Sequence, residues 1–314
     1  MGSGVKGRYN QRYKTFKKEE FSMFKGLGTA MITPFDKELN VDYNSLKTFV
    51  KYQLDNGVDS LIVLGTTGEA PAIEEEEREK IVNTVVEIVN KKIPVIVGTG
   101  TNNVNHVLKN NKVAESAGAD GLLIVTPYYN KSTQKGLVEY FKYISERTTL
   151  PIIMYNVPSR TGMNILPETV VSIHENCKNV IGVKEASGNI SQIGELFSIK
   201  PDSLKVFSGN DDQVLPIMSL GGDGLISVTS NVAPRPFVEL THSILNNDLE
   251  KARKLNNQFM KLNKLLFKEV NPIPVKYAVS LLGLCENVVR LPLVKASQET
   301  EKLLKEEMER LDLA

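Results

Sequence analysis

Apolar and polar positions along this chain sort into two alternating kinds of segment from Gly26 onward. Short apolar runs rich in β-branched residues occupy 27–33, 59–64, 93–97, 120–125, 151–155, 179–184, 204–208 and 223–228; runs of this length and make-up read as strands. They show little in–out alternation, as expected of parallel strands buried on both faces. Between them, apolar positions recur at helical spacing over 42–56, 74–91, 103–117, 133–147, 166–176, 189–199, 211–219 and 234–246. Gly57, Gly118 and the Pro94 and Pro151 steps stand where helices should stop and strands begin. This repeated strand–helix alternation, with no long linker, predicts a closed α/β barrel, the (β/α)8 TIM barrel, over residues 23–247. Beyond 247 the strands cease. Helical spacing at 248–268, 274–283 and 296–310 predicts a C-terminal helical domain over 248–314. A doubly wound open sheet would also alternate, but Gly98-Thr99-Gly100 lacks the third glycine of a dinucleotide loop. The run Glu74 to Glu77 opens a helix, where acidic side chains complement the macrodipole, and is read as structural.

Composition narrows the setting. The 314 residues are 41% hydrophobic and 24% charged, the balance of a globular protein. No run of eighteen apolar residues offers a membrane span, and no apolar stretch marks a secretory signal. Cys177 and Cys285 are too few for a disulfide framework and fit a reducing, cytoplasmic setting. The net charge of +1 conceals an asymmetry. Residues 1–22 carry Lys6, Arg8, Arg12, Lys14, Lys17 and Lys18 against Glu19 and Glu20, which leaves the remainder net acidic and without a nucleic-acid footprint. This leader opens Met-Gly-Ser-Gly, has almost no aliphatic residues and stops just before a second methionine, Met23. It reads as a fused or cloning-derived segment. Tyr9, Tyr13 and Phe16 recur at i, i+4 and i+7 among its basic residues, so a helix here would present an aromatic face for an unidentified partner.

Chemistry in such a barrel gathers at the C-terminal ends of the strands, a rule that selects residues without reference to any function. It selects Gly65-Thr66-Thr67-Gly68-Glu69, Thr126-Pro127-Tyr128-Tyr129-Asn130, Tyr155-Asn156-Val157-Pro158-Ser159-Arg160-Thr161-Gly162, Lys184, Ser208-Gly209-Asn210-Asp211 and Ser227-Val228-Thr229. Lys184 stands out, a lone amine closing the apolar run Val180-Ile181-Gly182-Val183. Desolvation penalises the charged form of a buried amine and favours the neutral nucleophile that attacks ketones. The bland alternative is a lysine whose tip escapes to solvent beside Glu185. His106, His174 and His242 are far apart and lack metal-ligand spacing, so neither a metal nor a cofactor is expected.

Five of these motifs carry a resemblance. Gly65-Thr66-Thr67-Gly68-Glu69, Pro127-Tyr128-Tyr129-Asn130, Tyr155 to Gly162, Lys184-Glu185-Ala186-Ser187-Gly188-Asn189 and Asn271-Pro272-Ile273-Pro274-Val275-Lys276 occur in order, with barrel spacing. Over residues 23–314 the chain resembles the dihydrodipicolinate synthase (4-hydroxy-tetrahydrodipicolinate synthase) family. The resemblance implies a homotetramer built as a dimer of dimers that condenses pyruvate with L-aspartate 4-semialdehyde. It implies Lys184 as Schiff-base lysine and a proton relay of Tyr155, Thr67 and Tyr129, with Tyr129 supplied by the adjacent subunit. It further implies Thr66 and Thr67 on the pyruvate carboxylate, Arg160 on the semialdehyde carboxylate, and Gly209 and Ile226 against bound pyruvate. N-acetylneuraminate lyases and 2-keto-3-deoxy-sugar-acid aldolases share the barrel and lysine; the Thr66-Thr67 pair and Arg160 favour the synthase. A barrel without catalysis, serving as a scaffold for the leader, is the reading from another class.

Lysine-sensitive members of that family hold lysine at the tight dimer interface with an acidic residue. The corresponding position here is His106, with Glu75 and Arg78 at two further positions and Asn102 and Tyr128 retained. The resemblance therefore implies insensitivity to lysine.

Overall fold

Eight parallel strands close on themselves: β1 (Gly26–Ala30), β2 (Ser60–Val63), β3 (Val95–Gly98), β4 (Gly121–Val125), β5 (Ile152–Asn156), β6 (Val180–Glu185), β7 (Lys205–Ser208) and β8 (Gly224–Ser227), which pairs back with β1. The structure, a computed structural model, describes residues 24–314. The leader 1–22 and its aromatic face at Tyr9, Tyr13 and Phe16 lie outside the described residues.

Outside the barrel pack α1 (Tyr43–Asp55), α2 (Glu75–Val89), α3 (Val104–Ala117), α4 (Gln134–Ser145), α6 (Pro167–Asn176), α7 (Ile190–Ile199), α8 (Val214–Ser219) and α9 (Pro234–Leu245). Their starts follow local chemistry. Asp42 accepts from the amides of Asn44 and Ser45, Asn103 from Asn105, and Thr133 from Gly136, each satisfying helix N–H groups that lack an intrahelical partner. One short helix, α5 (Pro158–Thr161), sits within the loop after β5, where the sequence shows only a rim motif. The first expected strand, 27–33, leaves the sheet after Ala30. Beyond it the Ile32 amide is taken by Asn231 Oδ1 (3.0 Å), and Thr33 Oγ1 donates to the Gly68 carbonyl (2.7 Å).

Two apolar layers result. Inside the barrel lie Ala30, Ile62, Ile96, Leu123, Ile153, Ile181, Phe207 and Ile226, with Phe24 and Tyr155 among them. The opposite strand faces meet the helices in a larger core that includes Val63, Val97, Ile124, Met154, Val180 and Val183. In β6, Ile181 points inward but Val183 points outward, which two-residue periodicity forbids. The register explains it. Ile152 pairs with Val180 and Ile153 with Gly182, so two residues of β6 stand against one of β5. This β-bulge shifts the phase of everything downstream, turning Lys184 into the barrel and Glu185 out of it. Gly182 suits the bend, because a Cβ there would sit 2.7 Å from the Lys205 carbonyl oxygen.

After Asn246 the helices α10 (Leu249–Leu265), α11 (Ile273–Leu281) and α12 (Gln298–Arg310) pack on one another and on α9, with Phe237 and Phe259 edge to face at 5.5 Å. They also close over the rim. Lys276 is fully buried and pairs with Glu69 at 2.6 Å, and its Nζ lies 3.7 Å from the centre of the Phe35 ring. The Arg290 amide donates to the other Glu69 oxygen (2.9 Å), while its guanidinium forks onto Glu77 with two bonds of 2.6 Å. Glu77 therefore does more than complement a helix dipole; it ties the C-terminal arm to α2. Among the described residues no helix is long and apolar enough to cross a membrane, and no cluster of His, Cys, Asp or Glu has the make-up of a metal site.

Candidate active site

The lysine at the end of β6 is 5% exposed. Its strand neighbour across the sheet is Tyr155 on β5, and its ammonium lies 4.5 Å from the centre of the Tyr155 ring. The expected alternative, a solvated tip paired with Glu185, is overturned. Glu185 is on the other face of the strand, where its carboxylate accepts from Asn156 Nδ2 (3.0 Å) and the Ser187 amide (2.6 Å). Burial pushes the Glu185 carboxyl upward from its ordinary pKa, and these hydrogen bonds pull it partly back.

A cavity of about 190 Å³ opens above Lys184 at the C-terminal ends of the strands. Thr66, Thr67, Tyr155, Arg160, Lys184 and Gly209 all line it, so six of the residues selected from the sequence converge. Thr66 and Thr67 form a single helical turn, Thr66–Gly68, that ends at Glu69 in the left-handed conformation (φ +53°). The Glu69–Lys276 pair fixes that end of the turn from the C-terminal arm. Gly209 packs against the lysine stem: a Cβ there would stand 3.0 Å from Lys184 Cε and 2.7 Å from the Ala186 Cβ. Only a residue without a side chain leaves Lys184 that course.

Ile226 and Tyr129 lie elsewhere. Ile226 is buried in the inner layer below, and Val228 lines the cavity from that side. Tyr129 is 92% exposed and lines neither this cavity nor the second one beside it. Its backbone is left-handed at φ +71°, a conformation that costs a non-glycine residue about 1–3 kcal/mol. Tyr128 instead faces a second cavity of about 260 Å³, which shares the Thr66, Tyr155 and Arg160 walls with the first and reaches Arg78. No carboxylate lines either cavity among the described residues. Arg160 and Arg78 therefore make this rim electropositive, a field suited to small carboxylic acids.

Sequence reasoning gave no role to three contributors. Asp211 is wholly buried below the rim and accepts from the Ser227 hydroxyl and the Val228 amide (3.0 Å), tying the ends of β7 and β8 together. Burial pushes its carboxyl upward, against those hydrogen bonds and nearby Lys184. Phe267 and Asn271 come from the C-terminal arm and line the cavity. Arg160 Nη2 donates to the Asn271 carbonyl (3.1 Å), which orients the guanidinium. Asn271 opens one of the quoted motifs, so its importance was visible in the sequence, but its place above a strand 200 residues earlier was not.

The chain as a whole matches known proteins. The Dihydrodipicolinate synthetase family profile matches residues 23–311. The chain is similar to the 4-hydroxy-tetrahydrodipicolinate synthase of Thermotoga neapolitana, 54% identical over 90% of this chain and 97% of the relative. It is 49% identical to that of Alkaliphilus oremlandii over 93% of this chain and 100% of the relative. Among solved structures, the dihydrodipicolinate synthase of Thermotoga maritima superposes with a TM-score of 0.91 at 52% identity, covering 93% of this chain and 100% of that one. A monomeric dihydrodipicolinate synthase variant superposes at 0.92 with 51% identity, covering 94% and 99%.

Proposed function

Because this chain belongs to the dihydrodipicolinate synthetase family, we propose that the residues around Lys184 divide the work of a Schiff-base synthase as follows. The enzyme condenses pyruvate with L-aspartate 4-semialdehyde to give 4-hydroxy-tetrahydrodipicolinate, the first committed step of diaminopimelate and lysine synthesis. The observation that carries the assignment of roles is a buried lysine in a cavity that no carboxylate lines among the described residues. The neutral Lys184 amine attacks the pyruvate ketone, forming a C–N bond while the ketone oxygen leaves as water. The resulting iminium withdraws electrons, so a methyl proton is lost and an enamine forms. That enamine carbon attacks the semialdehyde carbonyl, whose oxygen takes a proton and becomes the hydroxyl. The semialdehyde's own amine then attacks the imine carbon, closing the ring as the bond to Lys184 breaks and the lysine amine leaves. Thr66 and Thr67, through hydroxyls and amides, hold the pyruvate carboxylate without adding a second full charge beside the amine. Tyr155 and Thr67 move protons to and from the intermediates. Arg160, oriented by the Asn271 carbonyl, meets the semialdehyde carboxylate with its planar fork. Gly209 keeps the lysine's path open, and Ile226 supports the pyruvate end from below.

A phenol relay needs one more partner, and Tyr129 does not reach its own chain's cavity. Its exposure and costly backbone support the reading that it enters the cavity of a second copy, within a homotetramer arranged as a dimer of dimers. A cytoplasmic location goes with this biosynthetic role.

Borohydride reduction in the presence of pyruvate, followed by peptide mapping, tests the central assignment. The adduct is expected on Lys184 and absent from Lys184→Ala. Lys276 is the sharpest rival, since burial lowers its amine to about 8. An adduct there, or on Lys205, would overturn the assignment.

A further inference from the structure

We propose that Asn271 is a positioning residue that sets the direction in which the Thr67 hydroxyl passes a proton. The inference rests on the reading of Thr67 as a relay group and assigns a role to a residue of the C-terminal arm. Asn271 is 5% exposed, and its side-chain Nδ2 donates to Thr67 Oγ1 at 3.0 Å. Among the described residues the amide has no other protein partner: Oδ1 is buried and unpaired. The side chain therefore serves Thr67 alone.

A hydroxyl has one proton to donate and two lone pairs to accept with. A relay uses one of each: a proton arrives on a lone pair and the hydroxyl's own proton departs. A free threonine hydroxyl rotates and can point its proton at any nearby acceptor. The Asn271 Nδ2 is a donor only, so it fills one lone pair and cannot take the proton. Thr67 is left with one lone pair and one O–H, both available to the cavity that Tyr155 lines. The same residue fixes the Arg160 guanidinium through its backbone carbonyl, so one position on the arm aligns groups for both substrates.

The discriminating variant is Asn271→Asp, which keeps the shape and reverses the polarity. An ionised Asp would capture the Thr67 proton and draw it away from the cavity. Turnover at saturating substrates is expected to fall at least tenfold near pH 8. Burial at this position raises a carboxyl above its ordinary value of about 3.9. As the pH is lowered toward 5 the new group therefore takes up its proton and can donate again, and the ratio of variant to native kcat should climb. KM for pyruvate and the semialdehyde should change much less, since the backbone carbonyl that holds Arg160 remains. A double-mutant cycle supplies the second measurement: with Thr67→Val as background, Asn271→Ala should have little further effect on turnover. Native-like turnover of Asn271→Asp would mean that the amide accepts from Thr67, and would overturn the proposal. A loss independent of pH, or fully additive effects in the cycle, would reduce Asn271 to a structural contact and also overturn it. If Asn271→Asp does not fold, the cycle decides. Pyruvate trapping on Lys184 in the native enzyme is the control that separates this outcome from failure of the synthase reading itself.

Discussion

Replacing Lys276 by Met would strip one charge from a buried pair while keeping most of the side chain's length. The two charges stand 2.6 Å apart with essentially no solvent exposure on either side. At an effective dielectric constant of about 20, their attraction is roughly 6 kcal/mol, much of it offset by the desolvation of both groups. Removing the lysine forfeits the attraction and keeps the desolvation of Glu69, whose remaining partner is the Arg290 amide. Orphaning a buried charge in this way costs about 3–5 kcal/mol. For a chain this long, about 2 °C of Tm per kcal/mol translates that into a drop of roughly 6–10 °C. Thermal unfolding at fixed protein concentration and scan rate would read it. Adding Glu69→Gln to Lys276→Met neutralises the stranded group and should recover at least half of the loss. A double variant no more stable than Lys276→Met would refute the orphaned-charge argument and locate the cost in packing against Phe35.

Arg160→Ala should raise the semialdehyde KM by tenfold or more, since charge-assisted hydrogen bonds contribute about 1.5–3 kcal/mol each, and should leave pyruvate trapping nearly intact; equal loss of both would refute its assignment. Lysine at 1 mM, an affinity worth roughly 4 kcal/mol, should leave steady-state activity unchanged. The second cavity offers an ammonium only Arg78 and Arg160 in place of a carboxylate, and Glu75 is already paired with Lys109; clear partial inhibition below that concentration would refute this. Glu185 gives a pH signature: its carboxyl is raised by burial, so its ionised form destabilises the fold above the raised value, and this weakens as pH falls toward the ordinary range near 4.3. The Tm difference between native protein and Glu185→Gln should therefore shift in favour of native from pH 8 to pH 5; a constant difference would show that the carboxyl does not titrate there.

Much of the site was legible because rim residues follow strand ends, and strand ends are marked by where apolar runs stop. Thr66, Thr67, Tyr155, Arg160, Lys184 and Gly209 all emerge from that rule. What the sequence hides is contact between distant segments. Glu69 and Lys276 each look like surface charges in their own neighbourhoods, and only the fold shows that they bury each other. Asn271 is similar: the motif it opens is legible, its contact with Thr67 is not. The bulge in β6 was illegible for another reason. Val180, Ile181 and Val183 are all apolar because both faces of the strand are buried, so no alternation exists from which a change of phase could be read.

That single extra residue acts like a shift of reading frame. Upstream of it, odd-numbered side chains of β6 enter the barrel; downstream, even-numbered ones do. Pairing the same residues of β6 without the bulge would restore the uninterrupted frame. The strand would still offer its neighbours a full ladder, but the amine of residue 184 would be delivered to the helix layer and the Glu185 carboxylate to the lumen. The same chemical inventory would then surround a cavity holding an acid where the nucleophile belongs. Catalytic identity in this barrel is thus written partly in how many residues of one strand stand between successive pairings, apart from their kinds.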